Sequence, residues 1–315
     1  ATDMLIAHHL GDVDVVHSHT WYANMAGHTA SLLYGAPHVI SAHSLEPLRP
    51  WKAEQLGGGY AISSWAEKTA YEGAAAIIAV SDGMRADVLA SYPDVDPKKV
   101  VTIRNGVDTQ EWSPIDDPSV AESFGITGRY AIFVGRITRQ KGLAHLLRAW
   151  SQVPDDYGLL LCAGSADEAG IGAEFEELVS QLQKTRKNIW WIKEMLPKSR
   201  LIPLLTGADL FLCPSIYEPL GIVNLEAMAC QTAVLASRVG GIPEVVDDGV
   251  TGQLVDFSSD SSIFESNIAS GIIEMMGDPE KLMRYGIAGR TRAINEFGWD
   301  AVAAATIALY RSVLK

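Results

Sequence analysis

The sequence predicts an α/β protein of two Rossmann-like domains, each a parallel sheet with helices on both faces. Three observations carry this. Short apolar runs of strand length alternate with helical spacing along the whole chain, the pattern of parallel sheets. The alternation falls into two series, separated by a stretch of linker composition at Thr109–Gly128 with Pro114 and Pro118. The 315 residues are enough for two domains of ordinary size, and 48% of them are apolar. The expected domains are 1–112 and 113–298, with a closing helix over 299–315, and the cleft between the domains is the default site.

Taken in order, residues 1–10 read as the tail of a helix and Asp14–His19 as a short buried strand with a polar end. Trp21–Tyr34 has helical spacing, and Gly35-Ala36-Pro37 stops it. His38–His43 is the next strand. From Pro47 to Tyr60 the pattern is irregular and reads as a long loop, followed by a helix through Glu72. Ala74–Val80 is a strand, and Ser81 is placed to cap the helix after it, with Asp82 in the first turn. Val100–Ile103 is a strand and Asn105–Asp108 a turn.

The second series starts with a strand over Tyr130–Arg136 and a helix opening near Gly142. Strands follow at Gly158–Ala163, Asn188–Ile192, Asp209–Cys213, Ala233–Ser237 and Gly252–Val255. Helices are expected over Glu174–Lys184, over Ser199–Thr206 with Ser199 as cap, after Gly221, near Pro243, and through the remainder.

Composition narrows the function. No apolar run reaches the roughly 18 residues of a membrane span. The first residues carry no basic segment of a signal peptide. Cys162, Cys213 and Cys230 are far apart, which suits reduced thiols in a cytoplasmic protein. A formal net charge of −13 disfavours nucleic acid and anionic membranes as partners, but not a small anion held by local cations.

Chemistry concentrates after the apolar run that ends at Cys213. A turn holds Glu218, Pro219 and Gly221, and a helical pattern then carries Glu226. Ligands of open parallel sheets bind at the C-terminal ends of strands, and a helix start attracts anions. Glycosidase carboxylates stand about 5–9.5 Å apart across one bond. Eight residues from loop into helix reach up to about 12 Å, which suits gripping two parts of one elongated ligand. Glu226 lies in an otherwise apolar helix, where a carboxylate needs a partner.

Arg136 and Lys141 follow a strand end and could clamp a diphosphate, or form an exposed basic turn. Their spacing does not fit a Walker loop, and no G-x-G-x-x-G follows an early strand. Gly240-Gly241 allows close backbone approach, to a ligand or in a tight turn. His17, His19 and His43 sit at strand ends without a carboxylate or cysteine at zinc-ligand spacing, so a metal is not expected and hydrogen bonding is the better role for His43.

Four stretches together resemble the retaining GT-B glycosyltransferases of family 4: E-P-L-G-I-V-N-L-E (Glu218–Glu226), V-G-R-I-T-R-Q-K-G (Val134–Gly142), V-G-G-I-P-E-V-V (Val239–Val246) and R-N-G-V-D (Arg104–Asp108). His17–Asn24 and Ala42–Tyr60 resemble the bacterial glycogen synthase branch, in particular the short ADP-glucose enzymes that make α-maltose-1-phosphate or extend α-1,4-glucan.

The resemblance implies a GT-B fold with a final helix crossing back onto the first domain, and retention of anomeric configuration by front-side attack. Arg136 and Lys141 would neutralise the donor diphosphate. Glu218 would hold glucose hydroxyls with the backbone N–H groups of Leu220 and Gly221, and His43 would sit near the reacting face. Glu226 would hold the ribose, with Ile222 and Gly164 also on the donor side. Tyr60, Gly58 and His19 would lie on the acceptor side. The implied donor is ADP-glucose and the acceptor glucose-1-phosphate or an α-glucan, with no resident cofactor or metal; a homodimer is compatible with it. Family members begin with a strand and a Gly-rich loop that nothing before His17 matches, so the sequence is expected to lack several βα elements at its start. The competing readings are a UDP- or GDP-sugar transferase acting on a lipid or small metabolite, an idle ADP-sugar-binding fragment, and a sugar-nucleotide epimerase.

Overall fold

Strand order decides where a ligand can enter each sheet. The computed structural model describes residues 2–11, 13–53 and 57–315. The chain divides into two compact units: residues up to Asn105 together with Trp299–Lys315, and Gly106–Gly298. Both sheets are parallel throughout.

In the first unit, β1 (Val16–His19), β2 (His38–Ala42), β3 (Ala76–Ala79) and β4 (Val100–Thr102) lie side by side in chain order. Every residue of β2 and β3 is buried, as a strand covered on both faces requires. Helices α1 (Thr2–Leu10) and α2 (Trp21–Tyr34) pack around Ala7, Val16, Ala30 and Ala36. Gly35 ends α2 in the left-handed region at φ 74°.

Helix α3 spans Gly58–Gly73, so it opens before Tyr60, inside the expected loop. Glycine is a poor helix former, but Tyr60 and Ser63 bond to Glu46 and hold the first turns in place. The Glu54–Leu56 part of the Ala42–Tyr60 motif lies outside the described residues. Ser81 caps α4 (Asp82–Ser91), its Oγ accepting from the Met84 N–H at 2.8 Å.

The second unit has six strands: β5 (Tyr130–Ile137), β6 (Gly158–Ala166), β7 (Ile189–Ile192), β8 (Leu210–Cys213), β9 (Ala233–Ser237) and β10 (Gly252–Val255). Their order is β10-β9-β8-β5-β6-β7. The chain builds outward from β5 to β7, then returns to the other side of β5 with β8. The reversal lies between β5 and β8, which pair at Ala131–Leu210 and Ile132–Phe211. That is where an open parallel sheet splays its strand ends and leaves a crevice.

The covering helices are α5 (Pro118–Ser123), α6 (Leu143–Trp150), α7 (Ala169–Thr185), α8 (Lys198–Thr206), α9 (Ile222–Ala229), α10 (Ile242–Val245), α11 (Ser261–Met276) and α12 (Pro279–Glu296). Helix α8 starts one residue before Ser199, and extended Pro197 holds the cap position without a side-chain bond. The stretch 109–128 packs into the second unit instead of spanning freely. It contains α5, buries Trp112 and Ile126, and offers the Gly125 carbonyl to Trp190 Nε1 at 3.0 Å. Its prolines suggested a linker, but its aromatic and aliphatic side chains decide its place.

Helix α13 (Trp299–Val313) belongs to the first unit. Val302, Leu309, Tyr310 and Val313 form one helical stripe against Val39, Ala76, Ile78 and Ile103. At the limits of the second unit, the Val107 N–H donates to the Phe297 carbonyl at 2.8 Å, so the incoming and outgoing chain are tied together.

Trp150 is fully buried in the core of the second unit, and its Nε1 has no acceptor among the described residues. Trp150→Ala should cost about 3–5 kcal/mol. Trp150→Phe should cost clearly less, because the donor it removes is unsatisfied. Urea unfolding followed by circular dichroism measures both, and equal losses would contradict this account.

Candidate active site

The site of the second unit is assembled at the ends of β5 and β8. Arg136 stands near the end of β5, exposed, with Nη1 donating to Asp167 Oδ1 at 2.7 Å. The chain then makes a 3-10 turn over Arg139–Lys141 and passes Gly142. Gly142 has φ 66°, and a Cβ there would lie 1.9 Å from the Pro214 carbonyl oxygen. Only glycine lets the loop after β5 lie this close to the loop after β8.

That closeness delivers Lys141 to Glu218. Lys141 Nζ donates to Glu218 Oε2 at 2.6 Å, with only 16% and 9% of the two side chains exposed. Burial disfavours the Lys141 charge most, but the charge and hydrogen bond of Glu218 together with Cys213 outweigh it and hold the pKa above the usual lysine value. Ser215 Oγ donates a second bond to the same oxygen at 3.2 Å. The Glu218 backbone is held as tightly: Gly241 N–H donates to its carbonyl at 3.0 Å, and a Cβ on Gly240, at φ 52°, would fall 2.0 Å from that oxygen. The Gly240-Gly241 pair therefore serves close approach to Glu218's own backbone.

Leu220 is buried, Gly221 takes φ 93° at the start of α9, and Ile222 is exposed in the first turn, which no side chain caps. Glu226 lies one turn further on, half-buried. Burial pushes its pKa up to about 7; Lys198 counters this, Glu111 adds to it, and Lys141 counters it again. Lys198 Nζ donates to Glu111 Oε2 at 2.5 Å. Beside Arg136, a cavity of about 470 Å³ opens at the ends of β5, β6 and β7, with Gly164, Cys162 and residues 193–196 in its wall.

Sequence reasoning missed residues 193–196, Lys198, Glu111 and Ser215. The first four immediately follow β7, so the strand-end rule could have found them. Lys198 and Glu111 meet across a long chain separation that no local pattern signals.

Three histidines of the first unit, His17, His19 and His43, form one group. His17 Nδ1 meets Tyr310 OH at 2.5 Å and its Nε2 meets Ser41 Oγ at 2.9 Å. His19 Nδ1 meets His43 Nε2 at 2.9 Å, and the two rings stack. Burial lowers the pKa of all three, that of His17 to about 4 with the charges of His19 and His43 adding to the effect. Tyr60 OH donates to the Glu46 carbonyl at 2.9 Å, and Gly58 opens α3. Among the described residues no group of three or more His, Cys, Asp or Glu is placed to hold a metal ion, and no helix is long and apolar enough to cross a membrane. All three cysteines are buried free thiols.

Two parallel-sheet α/β units, with a buried cation–carboxylate pair at the strand reversal of the second, define the class of GT-B glycosyltransferases. Within it, the chain belongs to the group 1 glycosyl transferases, whose family model matches residues 119–292, and residues 2–111 match Glycosyltransferase Family 4. It is a hexosyltransferase. It is 52% identical to alpha-maltose-1-phosphate synthase of Mycolicibacterium smegmatis over 99% of this chain and 82% of that protein. The Mycobacterium tuberculosis protein of the same name is 49% identical over the same shares. Among solved structures, sucrose-phosphate synthase of Thermosynechococcus elongatus matches with TM-score 0.82 and 25% identity, covering 98% of this chain and 76% of that one.

Removing one partner of the Lys141–Glu218 pair leaves the other charged and buried. Lys141→Met and Glu218→Gln should each lower stability, Lys141→Met by about 3 kcal/mol or more, and the double variant should recover part of the loss. Chemical denaturation of the three variants measures the coupling; strict additivity would mean that the two side chains do not interact.

Proposed function

We propose that the chain moves glucose from ADP-glucose to glucose-1-phosphate or an α-1,4-glucan, with retention at the anomeric carbon. The observation that carries this reading is the Lys141–Glu218 pair at the strand reversal of the second unit. The likeness to alpha-maltose-1-phosphate synthase supports glucose-1-phosphate as an acceptor.

In this reading the base occupies the cavity beside Gly164 and residues 193–196, and the Glu226 carboxylate accepts from the ribose hydroxyls. The diphosphate lies toward the start of α9, between Leu220, Gly221 and Ile222, and meets Arg136 and Lys141. Glu218 accepts from the glucose hydroxyls. As the bond from C1 to the phosphate oxygen breaks, charge grows on ADP, and Lys141 is already positioned to stabilise it. The acceptor hydroxyl bonds to C1 on the same face and passes its proton to the departing phosphate oxygen, so no second carboxylate is needed. His43, His19, Tyr60 and Gly58 serve the acceptor side. The reading calls for no resident cofactor.

Calorimetry with ADP, UDP and GDP tests the donor, and ADP should bind tightest. Tighter UDP or GDP would favour a different sugar nucleotide. Glu218→Ala and Lys141→Ala should each cut kcat/KM by about 100-fold or more, near the cost of one charge-stabilising donor. Near-normal turnover in both would remove the site from the second unit.

Glu226 carries its own prediction. Its folded pKa lies above the ordinary carboxylate value, so the folded state keeps that proton longer and its contribution to stability falls as pH rises toward 7. The ionised form is the better acceptor for a diol. Adenosine, which has no titrating phosphate, should therefore bind more tightly as pH rises from about 6 to 8, and Glu226→Gln should flatten that dependence. An unchanged slope in the variant would assign the titration to another group.

A further inference from the structure

We propose that Arg49 and Lys52 form an anion subsite in the first unit that takes the phosphate of a sugar-phosphate acceptor. The loop leaving β2 turns at Glu46–Leu48 and brings two cations to a single carboxylate oxygen. Arg49 Nη2 donates to Glu46 Oε1 at 2.6 Å, and Lys52 Nζ donates to the same atom at 3.1 Å. Glu46 is fully buried, and its other oxygen accepts from Ser63 Oγ at 2.7 Å. Arg49 and Ser63 already satisfy this carboxylate, so Lys52 brings a charge beyond what burying Glu46 requires.

Among the described residues Glu67 is buried beside Glu46 and feels the Arg49 charge without bonding to it. Glu67 accepts from the Glu46 N–H at 2.8 Å and from Tyr92 OH, and no bond joins it to Arg49 or Lys52 among the described residues. Burial raises its pKa to about 7, which reduces its charge further. On the outer turns of α3, Lys68 and Glu72 pair with each other at 3.5 Å. Arg49 also keeps a buried Nε–H with no acceptor among the described residues. The side chains of Arg49 and Lys52 are 14% and 20% exposed, sunk enough to strengthen a charged bond yet open to a ligand.

The chemistry suits a phosphate monoester, whose several oxygens can accept from a guanidinium and an ammonium together. The loop leaves the C-terminal end of β2, the end at which parallel sheets receive ligands, three residues beyond His43. A neutral glucan has no group that needs either cation. The subsite therefore bears on acceptor choice: a transferase that used only glucan would gain nothing from the second cation. The sugar attached to the phosphate rests on the transferase reading above; the anion does not.

Calorimetry without donor separates the two. Wild type, Lys52→Met and Lys52→Arg are titrated with α-glucose-1-phosphate and, separately, with maltotriose. Lys52→Met should weaken glucose-1-phosphate about 10-fold or more relative to maltotriose, the scale of one charge-assisted bond, and Lys52→Arg should keep most of the affinity. Steady-state kinetics should show the same shift in the ratio of kcat/KM for the two acceptors. Equal losses for both ligands in Lys52→Met would mean a purely structural loop contact and overturn the proposal, as would full retention of glucose-1-phosphate or its failure to bind wild type. Lys52-dependent binding without any transfer to glucose-1-phosphate would uphold the subsite and sink the reading of that sugar phosphate as acceptor.

Discussion

An ionised carboxylate is costly to bury unless a cation or hydrogen-bond donors go with it, and the second unit is arranged around meeting that demand for Glu218. Glu218 follows β8 and Lys141 follows β5, and the two side chains meet because those strands are neighbours. The loop after β5 comes so close that Gly142 lies against the Pro214 carbonyl, and the loop after β9 sets Gly240 against that of Glu218. Neither contact leaves room for a Cβ. The pair thus ties the strand reversal, two glycine positions and the start of α9 into one rigid assembly. Rigidity of this kind is what a site needs if its charges are to act without rearranging.

Much of this was legible locally. Gly35 ending α2 and Ser81 capping α4 follow from backbone chemistry that depends only on neighbouring residues. Glu218, Glu226, Arg136 and Lys141 could be singled out as candidates from residue type and strand-end position. Their partners could not. Pairing of Lys141 with Glu218, and of Arg136 with Asp167, depends on strand order, which hydrophobic spacing does not encode. Gly240 showed that backbone comes close, but not that the partner is the chain itself. Ser199 had the chemistry of a cap, yet Pro197 holds that position. The proline-bearing stretch 109–128 packs because Trp112 and Ile126 find apolar surroundings that only the folded unit provides.

The two units handle buried charge differently. The second places a close pair at the strand reversal. The first spreads it through Glu46, Glu67, Arg49 and Lys52 under a loop, and favours neutral strand-end histidines through burial and their mutual charge repulsion. Neutral, stacked imidazoles can donate and accept without repelling an anion or a sugar. Two cations turned toward one loop carboxylate favour an anion instead.

The bond between Val107 and Phe297 makes the second unit a closed insertion between two parts of the first. The stripe of Val302, Leu309, Tyr310 and Val313 that completes the cluster around Val39 and Ile78 leaves the ribosome only after the whole insertion has been made. During synthesis, the second unit can therefore finish folding while one side of the first sheet still waits for its cover. The first unit is begun early and sealed late, and that interval is when its apolar strands are open to a chaperone or to a neighbouring nascent chain.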